Sequence, residues 1–296
     1  MDSRLNAFLE RADAVLARLE PLLPAPRETV DWNTSLAARW VREGRSGYLM
    51  PLEVSLDMRL SDLIGVDLQR EQLGRNTRQF IDGLPANHAL LWGSRGTGKS
   101  SLIRALLAEY AQAGLRLIEI ERDHLGDLPR VVEQLQKLPQ RFVLFCDDLS
   151  FEAGESDYRV LKSVLDGSLE QAPDNVLLYA TSNRRHLVPE KESDNANWKH
   201  VDGELHPSEA VEDKIALSDR FGLWLSFYPF TQEHYLNVVE HWITQLALAA
   251  GLPWQRDAEL DKLAIRWATG RGNRNGRCAY QFARYWVGLK LLEQQP

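Results

Sequence analysis

A phosphate-binding loop constrains the fold of this chain more than any other feature. Residues 93–100 read GSRGTGKS and fit the pattern G-x-x-x-x-G-K-[ST]. An apolar run at residues 88–92 predicts a buried strand before the loop, and residues 101–110 carry apolar side chains at helical spacing after it. Glycines in such a loop let backbone N–H groups converge on phosphate oxygens, and the helix N-terminus adds partial positive charge. The sequence therefore predicts a nucleoside triphosphate site on an α/β sheet.

Composition narrows the class of protein. The chain has 296 residues, of which 26% are charged and 44% hydrophobic, as in ordinary globular proteins. Its first 19 residues are too charged for a signal peptide, uncharged stretches are too short to span a bilayer, and Cys146 and Cys278 have no metal or redox spacing. We therefore expect a cytoplasmic protein without a membrane segment.

Net charge bears on macromolecular partners. A net charge of −7 argues against broad affinity for nucleic acid. A local basic stripe is compatible with that charge, and the best candidate is the group Arg266, Arg271, Arg274, Arg277 and Arg284. A nucleic-acid partner rests on that group alone, and a solvated surface is the competing interpretation.

The chain is predicted to contain three parts. Residues 1–58 read as a mostly helical N-terminal extension, with an amphipathic helix over residues 3–22, and residues 59–230 as the nucleotide-binding α/β domain. Beyond the loop, we predict strands at 115–121, 141–146, 175–180 and 222–228, and helices at 128–138, 157–170 and 209–218. Residues 231–296 read as helices only, at 232–250, 258–269 and 275–293. This alternation predicts a doubly wound parallel sheet with ligands at its carboxyl end and a small C-terminal helical lid.

Two acids follow the most apolar strand. Residues 142–148 read FVLFCDD, which is typical of the magnesium-binding strand of P-loop proteins. We expect Ser100 and Asp147 to hold Mg²⁺, Lys99 to reach the β- and γ-phosphates, and Asp148 to polarise the attacking water. Many ATPases have glutamate at the position of Asp148. The shorter side chain leaves slow hydrolysis or a nucleotide switch open.

Three further polar residues fall where phosphoryl-transfer sites need them. Asn183 ends the next apolar strand and can place the attacking water, although a turn or helix cap is the competing interpretation. Arg220 precedes the last strand and can neutralise γ-phosphate charge, within one chain or across a subunit boundary. Arg277 opens the last helix and can reach the phosphates from the lid. A structural salt bridge competes for Arg220, and a surface position for Arg277.

This set of motifs resembles the AAA+ ATPases. The resemblance covers residues 60–290 and is closest to a bacterial AAA+ family of unknown function, through runs such as FVLFCDDLSFE, YATSNRRHL and GRCAYQFAR. A weaker similarity links the Asp-Asp-Leu sequence to helicase loaders. The resemblance to AAA+ ATPases implies that residues 63–66 line the adenine pocket, that Asn183 is sensor 1, and that Arg220 is an arginine finger. It also implies that Arg277 is sensor 2, and that ATP hydrolysis accompanies nucleotide-dependent oligomers.

The expected site has two overlapping sets of residues. The catalytic set is Lys99, Asp147, Asp148, Asn183, Arg220 and Arg277. The nucleotide-binding set is Ile64, Gly65, Gly93, Ser94, Arg95, Gly96, Thr97, Gly98, Lys99, Ser100 and Ser101. ATP and Mg²⁺ are the expected cofactors.

Three functions remain open at this point. The first is an oligomeric Mg²⁺-dependent ATPase that remodels an unidentified macromolecule. The second is a nucleotide-gated adaptor or loader with little turnover, and the third is a small-molecule kinase that clamps phosphate with Arg184 and Arg185. GTPases and ABC transporters are excluded because the chain lacks an Asn-Lys pair and an LSGGQ-type signature. The acid-rich segment 186–207 reads as a solvated insertion or a contact with a partner.

Overall fold

A computed structural model gives the fold. It describes residues 2–19, 29–44, 46–151, 157–166, 173–183, 199–201, 204–206, 217 and 219–294. The chain divides into two compact units, Met1–Asp31 and Trp32–Pro296. All of the predicted helix at 209–218 except residue 217, and most of the acid-rich segment 186–207, lie outside the described residues, as do Arg184 and Arg185.

The first unit contains one amphipathic helix, α1 (Asp2–Leu19). Large apolar side chains on it are more than half exposed, namely Leu5, Phe8, Leu9 and Val15. Helix α1 agrees with the helix predicted over residues 3–22. Pro21, Pro24 and Pro26 follow it in the sequence, and proline is unfavourable in a helix interior.

Nine strands are described in the second unit. They are β1 (Ala37–Glu43), β2 (Ser46–Leu52), β3 (Ala89–Gly93), β4 (Leu115–Glu119), β5 (Arg141–Cys146), β6 (Val176–Ser182), β7 (Lys199–Val201), β8 (Glu204–His206) and β9 (Leu223–Phe227). Seven of them form one sheet in the order β2-β1-β4-β5-β6-β3-β9, while β7 and β8 pair with each other. In the large sheet every pairing is parallel except that of β1 with β2. The carboxyl ends of the parallel strands therefore meet at one edge.

Helices cover this sheet and form the lid. They are α2 (Asp67–Ile81), α3 (Lys99–Tyr110), α4 (Leu128–Leu135), α5 (Asp157–Asp166), α6 (Gln232–Ala250), α7 (Ala258–Gly270) and α8 (Gly276–Glu293). Strand β5 is buried on both sides: Val143 and Phe145 join the core shared with α2 and α3, while Phe142 and Leu144 point to the opposite face and are buried as well. Burying each such side chain contributes about 1.5–3 kcal/mol. The prediction of a doubly wound sheet is confirmed.

The N-terminal extension differs from its prediction in its second half. Residues 37–52 form the β1–β2 hairpin and lengthen the sheet, because Ala37, Ala38 and Arg39 pair with residues 117–119 of β4. The Trp40 indole nitrogen donates a hydrogen bond of 3.0 Å to Asp127, and Arg42 adds an ion pair of 2.7 Å to the same carboxylate. Arg42 lowers the pKa of Asp127. The boundary predicted between residues 58 and 59 therefore moves to Asp31 and Trp32.

The lid has its own hydrophobic core. Helices α6, α7 and α8 bury residues such as Tyr235, Ile243, Ala264 and Phe282 together. Thr231, Asp257 and Asn275 cap the three helix N-termini through their side chains. Among the described helices, none combines the length and the apolar character needed to cross a membrane.

Candidate functional site

The phosphate loop occupies the turn between β3 and α3. Gly93, Gly96 and Gly98 all have positive φ angles, of 130°, 75° and 103°. A Cβ atom on Gly93 would lie 2.0 Å from the carbonyl oxygen of Phe227 on β9, so only glycine fits there. The close packing of β9 thus dictates the glycine that begins the loop.

Lys99 lies buried beneath this loop. Its Nζ donates hydrogen bonds of 2.8 Å to the carbonyl oxygens of Gly93 and Ser94, and one of 3.2 Å to Oδ1 of Asn183. Burial lowers the pKa of the Lys99 ammonium, and the carboxylates of Asp147 and Asp148 oppose that shift. Three uncharged oxygen atoms therefore bind the Lys99 ammonium. Phosphate oxygens carry negative charge and form stronger hydrogen bonds with it.

Ser100 and Asp147 meet beside the loop. The Ser100 hydroxyl donates a hydrogen bond of 2.6 Å to Oδ1 of Asp147, across 47 positions of sequence. Both side chains present oxygen atoms, which are the ligands that Mg²⁺ prefers. The oxygen atoms of this pair therefore suit a magnesium site next to the phosphate loop.

Asp148 adopts a backbone conformation that side chains rarely take. Its φ is 55°, the one positive value for a non-glycine residue among those the structure describes. Its carboxylate accepts a hydrogen bond from the amide nitrogen of Asn183 and lies 3.6 Å from the Arg95 guanidinium. Asp148 and Asn183 are therefore paired at the edge of the sheet, next to the phosphate loop.

Thr181 organises the two acids, although none of the sequence motifs pointed to this residue. Its hydroxyl donates a hydrogen bond of 2.5 Å to Oδ1 of Asp147 and accepts one of 2.9 Å from the backbone N–H of Asp148. The pairing of Cys146 with Ala180 places Asp147 opposite Thr181. The signal in the sequence was a polar residue inside an apolar strand, but the register of β5 against β6 was needed to interpret it.

A cleft of about 850 Å³ opens beside these residues. Its walls include Ser101, Asp147, Asp148, Asn183 and, from the lid, Arg277. The size suits a nucleotide, since small-molecule sites occupy roughly 300–1,000 Å³. All the predicted loop residues from Arg95 to Ser101 also line the cleft.

The segment expected to line the adenine pocket meets lid helix α6. Leu63, Ile64 and Val66 line the cleft, whereas Gly65 does not. The carbonyl oxygen of Ile64 lies 2.9 Å from Nε2 of His234, and a Cβ on Gly65 would collide with the same imidazole. Gly65 therefore serves the close approach of His234 to the backbone.

The lid also contacts the phosphate loop directly, through Gly276 and Asn275. From sequence, Asn275 was predicted only to begin the last helix. The backbone N–H of Gly276 donates a hydrogen bond of 2.8 Å to the carbonyl oxygen of Gly96. The side-chain Nδ2 of Asn275 donates a hydrogen bond of 3.1 Å to the carbonyl oxygen of Arg95. Its Oδ1 accepts a hydrogen bond of 2.9 Å from the backbone N–H of Cys278. One amide thus caps α8 and ties it to the loop.

The two functions of Asn275 can be separated. Asn275→Asp keeps a good helix cap but replaces the donor to Arg95 with a carboxylate oxygen. We expect nucleotide affinity to fall about 2- to 12-fold through the lost hydrogen bond, with little change in thermal stability. Titration of a fluorescent ATP analogue and thermal melting measure both effects. Asn275→Ala should lower affinity and melting temperature together, and wild-type affinity in the Asp variant would contradict the coupling.

Arg220 lies away from this cluster. It precedes β9, which runs parallel to β3 with Phe227 opposite Gly93, so Arg220 is at the amino end of the sheet. The five residues of β9 span about 13 Å, and Arg220 is not among the residues that line the cleft. The structure therefore brings together the expected residues around the loop and leaves Arg220 at the far end of β9.

The family comparison covers most of the chain. The family model described as "Protein of unknown function (DUF815)" matches residues 33–290. A search of curated proteins found no match.

Solved structures match at low sequence identity. The Aeropyrum pernix Orc1 protein, solved in complex with DNA, has a TM-score of 0.53 and 17% identity, over 80% of this chain and 65% of that one. The Thermotoga maritima RuvB Holliday junction branch migration motor has a TM-score of 0.50 and 16% identity, over 77% of this chain and 63% of that one. The chain thus spans less than two thirds of the length of either protein. At these identities the likeness shows the fold alone, and it confirms the predicted AAA+ P-loop fold.

Proposed function

The chain belongs to the family described as "Protein of unknown function (DUF815)" and has the AAA+ fold, and we propose that it hydrolyses ATP to ADP and phosphate with Mg²⁺. In this proposal it works as a cytoplasmic homo-oligomer and couples turnover to the remodelling of a macromolecule. The observation that carries it is that Lys99, Ser100 and Asp147 line the same nucleotide-sized cleft. The Ser100 hydroxyl oxygen lies 2.6 Å from Oδ1 of Asp147.

Each residue near the loop has a distinct part in the proposed reaction. The loop N–H groups and Lys99 bind the phosphates, and Ser100 and Asp147 hold Mg²⁺. When bound, Mg²⁺ offsets the negative charge that develops on the phosphate oxygens. Asp148 accepts a proton from the attacking water, and Asn183 orients that carboxylate through its amide nitrogen.

Positive charge completes the site from two sides. Arg277 borders the cleft from the N-terminus of α8, and its exposed side chain is suited to contact phosphate oxygens. Arg220 is at the opposite end of β9 from the loop of its own chain, which favours a role in the site of a neighbouring subunit. This separation supports an oligomer whose active sites lie between subunits.

Macromolecular remodelling is supported by what the similar structures are. RuvB is described as a branch migration motor, and Orc1 was solved in complex with DNA. We extend to this chain only the general role, which is nucleotide-driven work on a macromolecule.

The first test of the proposed function is Lys99→Ala. Removing a charge-assisted hydrogen bond to phosphate costs about 1.5–3 kcal/mol, so we expect ATP affinity to fall roughly 12- to 150-fold. Phosphate release in the presence of Mg²⁺ should fall to background at limiting ATP. Lys137→Ala, an exposed lysine after α4, is the matched control and should behave as wild type. Equal ATP affinity in the Lys99 variant would contradict the proposed site.

Two features of Asp148 keep the adaptor as a second candidate. Asp148 has a shorter side chain than glutamate, and Asn183 already engages its carboxylate. Both features favour slow turnover and a long-lived ATP state. Steady-state phosphate release separates the two candidates. If the protein is an adaptor, the wild-type chain binds ATP tightly and releases phosphate no faster than its Asp148→Asn variant does.

A further inference from the structure

The end of the chain has a charge pattern unlike the rest. Between Asp261 and Glu293 every charged residue is basic: Lys262, Arg266, Arg271, Arg274, Arg277, Arg284 and Lys290. The protein as a whole carries a net charge of −7. A concentrated basic stretch in an acidic protein indicates a local anion-binding surface.

Arginines of this stretch are exposed, and among the residues that the structure describes no acidic side chain forms a salt bridge with them. Arg271, Arg274 and Arg284 are solvent-exposed. Among the described residues, the arginine and lysine side chains of the lid that form salt bridges are Arg256, Lys262 and Lys290. The guanidinium groups of the three exposed arginines therefore keep their charge available for a ligand.

Aromatic side chains hold two of these arginines in place. The Arg271 guanidinium lies 3.5 Å from the centroid of the Trp267 ring, and Trp267 stacks on Tyr285 at 4.9 Å with the rings 27° apart. Arg284 lies over Tyr280 at 5.9 Å. Stacking orders a guanidinium while leaving its N–H donors available, which lowers the entropy cost of binding phosphate.

The stack ends in an open aromatic ring. Tyr285 contacts Trp267 on one face and is 54% exposed. An exposed ring next to ordered arginines matches what single-stranded nucleic acid requires, since a base can stack on the ring while arginines bind the flanking phosphates. Bases inside a duplex stack on each other, so their faces are not available to stack on such a ring.

We propose that the lid surface that presents Arg271, Arg284, Trp267 and Tyr285 binds single-stranded nucleic acid. The phosphates contact the arginines, and one base stacks on Tyr285. An acidic protein segment would use the same arginines but would gain little from the open tyrosine ring, so the aromatic stack favours a nucleic acid. Tyr280 lines the nucleotide cleft and lies beneath Arg284, so the surface adjoins the ATP site.

The binding test needs no nucleotide and no hydrolysis, so its failure would leave the proposed ATPase activity untouched. Fluorescence anisotropy is measured with a labelled single strand of about 30 nucleotides, as DNA and as RNA, and with the matching duplex. Titrations run from about 50 to 200 mM salt, because phosphate contacts appear in the slope of log K against log salt.

Two kinds of variant should fail in different ways. Removing both arginines in Arg271→Ala/Arg284→Ala should weaken binding and reduce the magnitude of the salt slope by about 1.4. Tyr285→Leu should weaken binding by roughly 5- to 150-fold with an unchanged slope, because no charge is lost. Tyr285→Phe keeps the ring and should bind as wild type. Arg75→Ala removes one positive charge from an exposed arginine on α2, outside the lid, and should bind as wild type.

Several results would overturn the proposal. Wild-type protein that binds neither single strand at low salt excludes the surface as a nucleic-acid site. Arginine variants with wild-type affinity do the same. Binding that depends on the arginines but not on Tyr285, or that is equally tight for the duplex, contradicts the single-strand assignment and points to a general polyanion or an acidic protein. Thermal melting of each variant shows that losses do not come from unfolding.

Discussion

Asp148→Asn is expected to lower the rate of ATP hydrolysis by about 10²- to 10⁴-fold while ATP affinity changes little. The substitution removes the carboxylate that we propose as the proton acceptor for the attacking water, and it keeps nearly the same side-chain shape. Asparagine is also one of the few residues that tolerate the positive φ of 55° found at this position. The backbone hydrogen bond from residue 148 to the Thr181 hydroxyl therefore survives. Single-turnover phosphate release and nucleotide titration measure rate and affinity separately.

A control variant tests whether the effect belongs to the carboxylate. Asp123→Asn removes an exposed acid outside the cleft and should leave the rate unchanged. Asp148→Glu restores a carboxylate and should recover part of the activity lost in the Asn variant. Wild-type rates in Asp148→Asn would show that another group activates the water, and would remove Asp148 from the catalytic set.

Arg220→Ala is expected to reduce turnover by about 10³- to 10⁵-fold, the range for arginines that stabilise phosphoryl-transfer transition states. ATP binding to the monomer should stay at the wild-type level, because Arg220 is at the opposite end of β9 from the loop of its own chain. Arg75→Ala on α2 serves as the matched control and should retain full activity. Loss of ATP affinity together with turnover in a monomeric Arg220 variant would contradict the shared site.

Mixing two inactive variants gives the sharper result. Lys99→Ala subunits keep Arg220 but bind ATP poorly, and Arg220→Ala subunits bind ATP but lack the arginine. If sites form between subunits, a mixture hydrolyses ATP faster than either variant alone. If Arg220 acts within its own chain, the activity of the mixture equals the average of the two variants.

Residues close in sequence to a strand end were predictable because of sheet geometry. Lys99 and Ser100 follow β3, Asp147 and Asp148 follow β5, and Asn183 follows β6. Carboxyl ends of parallel strands share one edge, so recognising three apolar strands was sufficient to expect these side chains together. The observed contact between Ser100 and Asp147 at 2.6 Å agrees with that reasoning.

Residues whose role depends on a partner from another element were harder to predict. Thr181 matters because the register of β6 places it beside Asp147. Asn275 matters because lid helix α8 begins against the carbonyl oxygens of the phosphate loop. Neither the register nor the docking of the lid is encoded in a local pattern. The hairpin at residues 37–52 escaped prediction for the same reason, since its first strand is stabilised by β4, more than seventy residues away.

The amino-acid sequence by itself determined the phosphate loop, the alternation of strands and helices, and the acids at a strand end. These features follow from local spacing, because backbone conformation and burial act over a few neighbouring residues. Tertiary structure alone decided which oxygen atoms accept hydrogen bonds from Lys99, how Thr181 bridges the two acids, and how Asn275 joins the lid to the loop. It also separated Arg220 from its own loop, because only strand order and register set distances between residues far apart in the chain.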